Sequence, residues 1–141
     1  IEVKGAIGSS TGKRLLIPND VFVVNSKPTF PHEKRDIPVY FSFPYMLQDA
    51  VRIKFPANLH LESSPSLDKF QFQNFAAYTL SSTKTPNSIT MRRDYTLGEV
   101  IYLTKEYPSL RSFYSKMETS DQQSIVLTNV PVAVNSSAAA N

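Results

Sequence analysis

The densest cluster of polar and aromatic side chains in the sequence is Arg92-Arg93-Asp94-Tyr95. Arginine forms paired hydrogen bonds with carboxylates and stacks on planar rings, so these side chains could hold an acidic or planar ligand. The cluster follows an alternating segment, and arginines at strand ends commonly pair with neighbouring acids at little net gain. We name Arg92, Arg93 and Tyr95 as a candidate surface binding site, with a solvated strand end as the simpler interpretation.

The two histidines, His32 and His60, would have to converge with carboxylates to make a zinc site, because the chain has no cysteine. No His-x-x-x-His or calcium-loop spacing accompanies them. The sequence also lacks a Gly-x-Ser-x-Gly turn for a serine nucleophile and a Gly-Lys-Ser/Thr phosphate loop. We therefore predict no catalytic residue, no metal and no cofactor, and we interpret Ser9 to Gly12 as a hairpin turn.

Exposed tyrosines could form a platform for sugars, and Tyr40, Tyr45, Tyr78 and Tyr95 are the candidates. The absence of Trp weakens this interpretation. Most of these tyrosines alternate with polar residues, as side chains that face a core do. Packing is therefore the predicted role.

Charge and hydropathy exclude two classes of function. Fifteen basic and 12 acidic residues give a net charge of only +3, and no long block of like charges occurs. A nucleic-acid binder would show a basic patch or stripe, so we predict no nucleic-acid partner. No apolar run approaches the length of about 20 residues that a membrane helix needs, so we predict no membrane insertion.

Period-two alternation predicts an all-β fold. Prolines and turn signals separate the short segments, as in sandwiches and barrels. We predict a mostly antiparallel, immunoglobulin-like β-sandwich over 1–128, followed by a flexible tail over 129–141. The alternating segments are 51–55, 58–61, 70–73 and 88–91, and more continuous apolar runs occupy 15–24, 39–43, 100–103 and 125–127.

One segment has helical spacing. From Tyr107 through Leu110, Phe113, Tyr114 and Met117, the apolar residues form a single stripe. A helix of about three turns is not stable alone in water, so this stripe must lie on the sheet. We predict one short helix near the C-terminus that closes one end of the sandwich.

Four segments, taken in their order along the chain, resemble those of a known family. The chain resembles the C-terminal β domain, of unknown function, that follows the transglutaminase-like core of exported bacterial proteins. In that family the chemistry is a Cys-His-Asp transfer or hydrolysis of amide bonds and belongs to the preceding core. The segments are 12–18, 28–31 with 35–39, 49–56, and 106–114 with 121–123.

The resemblance implies a non-catalytic C-terminal accessory domain that supports or extends the catalytic core of a larger transglutaminase-like protein. The implied partner is that upstream domain, and the implied location is the periplasm or cell surface of a bacterium. The alternative is an independent extracellular binding module for a polysaccharide or a protein partner. A third possibility, an enzyme in its own right, would need paired carboxylates or a histidine beside a nucleophile, and the sequence offers no such spacing.

Overall fold

The computed structural model describes residues 8–18 and 27–129 of the 141-residue chain. Within them lie ten strands, one α-helix and, just before it, a one-turn 3-10 helix (Thr104–Glu106), and every strand pair is antiparallel. The elements are β1 (Ser9–Thr11), β2 (Arg14–Pro18), β3 (Val39–Tyr40), β4 (Tyr45–Lys54), β5 (His60–Ser63), β6 (Asp68–Phe72), β7 (Ala76–Thr85), β8 (Ser88–Leu97), β9 (Ile101–Tyr102), α1 (Tyr107–Asp121) and β10 (Ser124–Thr128).

The strands form two four-stranded sheets and a short ribbon. The first sheet has the order β1-β2-β10-β5, the second has the order β4-β8-β7-β6, and β3 pairs with β9 in the ribbon. Residues of both large sheets and of the helix belong to one hydrophobic cluster, which includes Ile17, Leu80, Leu110 and Ile125. The prediction of an all-β, mostly antiparallel sandwich with one short helix near the C-terminus is confirmed.

The turn between β1 and β2 needs a residue with positive φ. Gly12 has φ of 61° there, in the left-handed region where a side chain is strained. The pairing of Thr11 with Arg14 leaves only Gly12 and Lys13 in the loop. A hairpin is therefore present as predicted, but its turn is Gly12-Lys13, and Ser9 to Thr11, which were predicted to be part of the turn, form strand β1.

The long β7-β8 hairpin supplies most of the core surface of its sheet. In β8 the inward side chains of Met91, Tyr95 and Leu97 are buried, as are those of Tyr78 and Leu80 in β7. Because the side chains of a strand alternate between its two faces, the opposite face of β8 carries the more exposed residues.

Helix α1 packs its apolar stripe against this inner face. All five predicted stripe residues, from Tyr107 to Met117, are buried. The Phe113 ring lies 5.5 Å from the Phe70 ring and 6.2 Å from the Tyr95 ring, measured between centroids. The helix continues to Asp121, past the end of the apolar stripe, because polar side chains of its last turn bond to the sheet.

Several predicted strands are shorter in the structure. The runs 39–43 and 100–103 contain only the two-residue strands β3 and β9, since Pro38, Pro44 and the start of the helical region interrupt them. The 15–24 run forms strand as far as Pro18, and its remainder lies outside the described residues, as does the predicted tail beyond Asn129. In the described part of the chain, no helix is long and apolar enough to cross a membrane.

Candidate functional site

Strand β8 separates the three residues predicted to form a surface site. Arg92 is exposed on the outer face of the sheet, whereas Arg93 is 9% exposed and Tyr95 is 2% exposed on the inner face. Neighbouring residues of a strand point to opposite faces, and this separates Arg92 from Arg93. The structure therefore does not bring Arg92, Arg93 and Tyr95 together on one surface.

Arg93 instead connects the sheet to the end of the helix. Its Nε and one terminal nitrogen donate to the two carboxylate oxygens of Asp121 at 2.8 and 2.9 Å, a bidentate pair. Asp49 of β4 lies 3.5 Å away, and the guanidinium carbon lies 5.7 Å from the centre of the Tyr78 ring. Arg93 thus holds the last turn of α1 on the inner face.

Tyr78 completes this group. Its hydroxyl donates to Asp121 at 2.6 Å. Burial raises the pKa of Tyr78 well above its ordinary value, and the hydrogen bond to Asp121 adds to the effect. The hydroxyl therefore stays protonated and acts as a hydrogen-bond donor.

A second pair of phenols lies deeper. The hydroxyls of Tyr95 and Tyr114 are 2.6 Å apart and buried. Burial raises the pKa of both groups well above the ordinary tyrosine range. With Tyr45 half-buried and 5.6 Å from the Tyr95 ring, three of the four candidate platform tyrosines pack inside the domain.

Asp68 makes the other polar connection between sheet and helix. Its Oδ2 accepts hydrogen bonds from the Ser120 hydroxyl at 2.6 Å and from the Gln123 amide at 2.9 Å. Sequence analysis missed Asp68, Ser120 and Asp121. Ser120 comes three residues after Met117 and so continues the stripe of the helix, which was the available signal.

The histidines lie apart from this network. His32 is exposed in a loop, where its carbonyl accepts the Tyr107 hydroxyl at 2.6 Å, and His60 is half-buried at the start of β5. Over 8–18 and 27–129, no three His, Cys, Asp or Glu side chains are placed to share a metal ion.

The most distinctive surface is apolar. Seven of the eight large, exposed hydrophobic side chains in the described residues come from 37–47 or 101–103, and we call these seven the ribbon surface. It extends over both faces of the edge strand β4, because the consecutive residues Met46 and Leu47 point to opposite faces. The β3-β9 ribbon joins the two segments, since Tyr40 pairs with Ile101 and both are exposed. The seven are Ile37, Tyr40, Phe43, Met46, Leu47, Ile101 and Leu103.

The ribbon surface has the composition of a protein interface. Neither 37–47 nor 100–103 contains a charged residue. The centres of protein interfaces are depleted in charge and enriched in aromatic residues and Met, and large exposed apolar patches mark interaction sites. Tyr40 is 69% exposed and Phe43 is 64% exposed, so their rings are available to a partner.

Comparison with known proteins gives a family and a fold. The sequence profile of a family described as "Domain of Unknown Function with solved-structure structure (DUF3858)" matches residues 13–127. No curated protein matches the chain. A crystal structure from Parabacteroides distasonis ATCC 8503, of a protein called a "putative protease", has the same fold with a TM-score of 0.60 and 16% identity. The match covers 69% of this chain and 19% of that chain.

Proposed function

The chain belongs to the DUF3858 family, and from that premise we propose that it is a non-catalytic accessory domain that packs against the rest of a larger protein through its ribbon surface. The observation that carries the proposal is this surface, which is apolar, aromatic and without charge. The Parabacteroides structure supports it, because there the matching fold accounts for 19% of a much longer chain.

The proposed parent is an exported bacterial protein with a transglutaminase-like core, located in the periplasm or at the cell surface. Two lines of support come together here. The family resemblance of the sequence implies amide-bond chemistry in a preceding core, and the structural neighbour is called a "putative protease". The proposed role of this domain is to support that core or to extend its substrate surface.

Hydrogen exchange tests whether the ribbon surface packs against the rest of the larger protein. The 141-residue chain would be compared with the natural protein that contains it, by mass spectrometry of the same peptides. We expect 39–47 and 100–103 to exchange more slowly in the natural protein, while the exposed 84–87 turn is unchanged. Equal exchange of the ribbon segments in both forms, or a natural protein with no further domain, would contradict the proposal.

A matched pair of substitutions tests the surface itself. Ile101→Asp puts a charge into the ribbon surface, whereas Leu67→Asp puts one at the exposed hydrophobic residue outside it. In the natural protein, Ile101→Asp should restore fast exchange to 39–47 and Leu67→Asp should not. Equal effects of the two substitutions would show that the ribbon surface has no special role.

The second candidate is an independent binding module for a polysaccharide or a protein partner. The exposed Tyr40 and Phe43 rings favour it, because aromatic rings stack on sugars and fill protein pockets. The same exchange experiment separates the two functions. A binding module would keep its ribbon surface exposed in the natural protein and become protected only when its ligand is added.

A further inference from the structure

Strand β6 is an edge strand, and over the described ranges no further strand pairs with its outer side. On its inner side it pairs with β7. In an antiparallel edge strand, alternate residues direct their N–H and C=O groups away from the ladder. The outer edge of Asp68–Phe72 therefore offers donors and acceptors over roughly 17 Å.

Helix α1 lies beside this edge and forms a groove with it. One hollow of about 300 Å³ adjoins Asp68 and the last turns of the helix, and a second of about 350 Å³ adjoins Phe72 and the first turns. Phe70 and Lys116 line both hollows, so the two lie next to each other along β6. We call the two adjoining hollows together the strand groove.

The strand groove has an apolar floor and a basic centre. The half-buried Phe70 supplies the aromatic surface, since Phe113 next to it is only 4% exposed, and serines of the exposed helix face line the opposite side. Lys116 is exposed, and within the described ranges it forms no ion pair. Asp68, the acid in the groove, already accepts hydrogen bonds from Ser120 and Gln123, so its charge is partly compensated.

We propose that the strand groove binds an extended peptide, which adds a strand to β6 and places an acidic side chain against Lys116. The free main-chain groups of the edge require a partner with an extended backbone, as in known cases of strand addition. Side chains of such a strand alternate, so those on the Phe70 side face the helix. The Lys116 charge selects an acid at the centre, and the aromatic floor selects apolar residues two positions before and after it. This site is separate from the ribbon surface, and its test does not depend on the docking role.

The probe is the capped peptide Thr-Val-Thr-Glu-Thr-Val-Thr, in which Val, Glu and Val lie on one face of an extended strand. It would be titrated into the full chain with ¹⁵N label, and amide shifts would be followed by NMR. We expect saturable shifts in 68–72 and in 112–119, and slower hydrogen exchange of the β6 amides. Shifts confined to the ribbon surface, or no shifts at millimolar peptide, would overturn the proposal.

Backbone methylation separates strand addition from binding by side chains alone. One peptide would carry N-methyl groups on its Val and Glu amides, and a second would carry them on the inner Thr amides. Along a strand these two sets of amides point to opposite edges. We expect one of the two peptides to lose binding at least tenfold and the other to keep it. Equal affinities would overturn the strand-addition geometry.

A charge exchange tests the role of Lys116. Lys116→Glu should weaken binding of the Glu peptide by about threefold to tenfold, as expected for one exposed ion pair. The same substitution should strengthen binding of a peptide with Lys in place of Glu. Lys84→Glu, an exposed lysine far along β7, is the matched control and should change neither affinity. Equal effects of both substitutions would show nonspecific attraction and contradict the assignment.

A second copy of the chain could occupy the same edge through pairing of two β6 strands. Sedimentation over a range of concentrations, with exchange of the β6 amides measured in parallel, detects this. Protection of the β6 amides that grows with protein concentration, without peptide, would overturn the peptide assignment.

Discussion

At the scale of single residues, Asp121 is the polar residue whose loss should destabilise the fold most. Its carboxylate accepts from Arg93 and Tyr78, and only 13% of its side chain is exposed. Asp121→Ala removes the main counter-charge of a nearly buried guanidinium, although Asp49 remains 3.5 Å away. We expect the free energy of unfolding to fall by about 2 to 4 kcal/mol, near the lower end for a broken buried pair. Urea unfolding would measure it.

The control is the double variant Arg93→Met with Asp121→Leu. It removes both charges together, and hydrophobic replacement of a buried pair is often close to neutral. It should therefore be more stable than Asp121→Ala alone. A double variant that is less stable than the single one would show that the pair contributes more than its burial costs.

The buried phenols predict instability in alkali. Burial raises the pKa of Tyr78, Tyr95 and Tyr114 well above the ordinary value of 10.0 and raises the pKa of Tyr102 to about 12. Above pH 10 the unfolded chain loses these protons while the folded chain keeps them, so the unfolded state binds fewer protons. The free energy of unfolding should be unaffected by these groups below pH 10 and fall as the pH rises beyond it.

Urea unfolding at a series of pH values would measure that fall. Each phenol contributes up to about 1.4 kcal/mol per pH unit, so Tyr102→Phe should make the slope shallower by that amount. Ionisation of all seven tyrosines near pH 10, with no loss of the folded state, would contradict the prediction.

At the scale of elements, the helix should contribute through its buried stripe. Leu110 is fully buried and Phe113 is 4% exposed, so Leu110→Ala or Phe113→Ala should cost about 2 to 5 kcal/mol of unfolding free energy. Ser112 lies on the exposed side of the same helix, and Ser112→Ala is the control. Unchanged urea midpoints for both core variants would show that the helix is peripheral to the fold.

The elements also show what sequence periodicity can predict. The stripe from Tyr107 to Met117 was sufficient to predict the helix. The alternation of 88–91 predicted only the first part of β8, which continues to Leu97, so the interpretation of Arg92 to Tyr95 as a strand end was wrong. The alternation of a strand divides the β8 residues between the two faces of the sheet. Which face is buried is decided by the packing of α1, and the sequence of β8 does not show it. Arg93 was interpreted as a surface residue because its partner, Asp121, is distant in sequence and is brought near only by the packed helix.

At the scale of the whole molecule, the isolated chain should have no amide chemistry. It has no cysteine, so thiolate catalysis is not available to it. Incubation with a glutamine donor and an amine acceptor, and separately with a peptide substrate, should give no product, while the natural protein should be active. Turnover by the isolated chain that persists after repurification would contradict the accessory role.

The surface of the assembled domain was harder to predict from the sequence than its strands and helix. The ribbon surface depends on β3 and β9, two-residue strands whose pairing brings together segments about 60 positions apart. The uncharged 37–47 segment was visible in the sequence, but its apolar run 39–43 was interpreted as a buried strand, because proline positions alone do not show which side chains remain exposed.

The pairing of β2 with β10 has a mechanical consequence. Arg14, at the start of the second strand, lies opposite Thr128, at the end of the last one. A force that pulls the two ends of the described domain apart would first separate β1 from β2, with which it pairs, and would then act at this end of the β2-β10 pair. The hydrogen bonds between antiparallel strands lie perpendicular to the strands, so they would break one after another and not all together. Under tension we expect the domain to open first between β1 and β2 and then between β2 and β10, at low force, before the long β7-β8 hairpin is loaded.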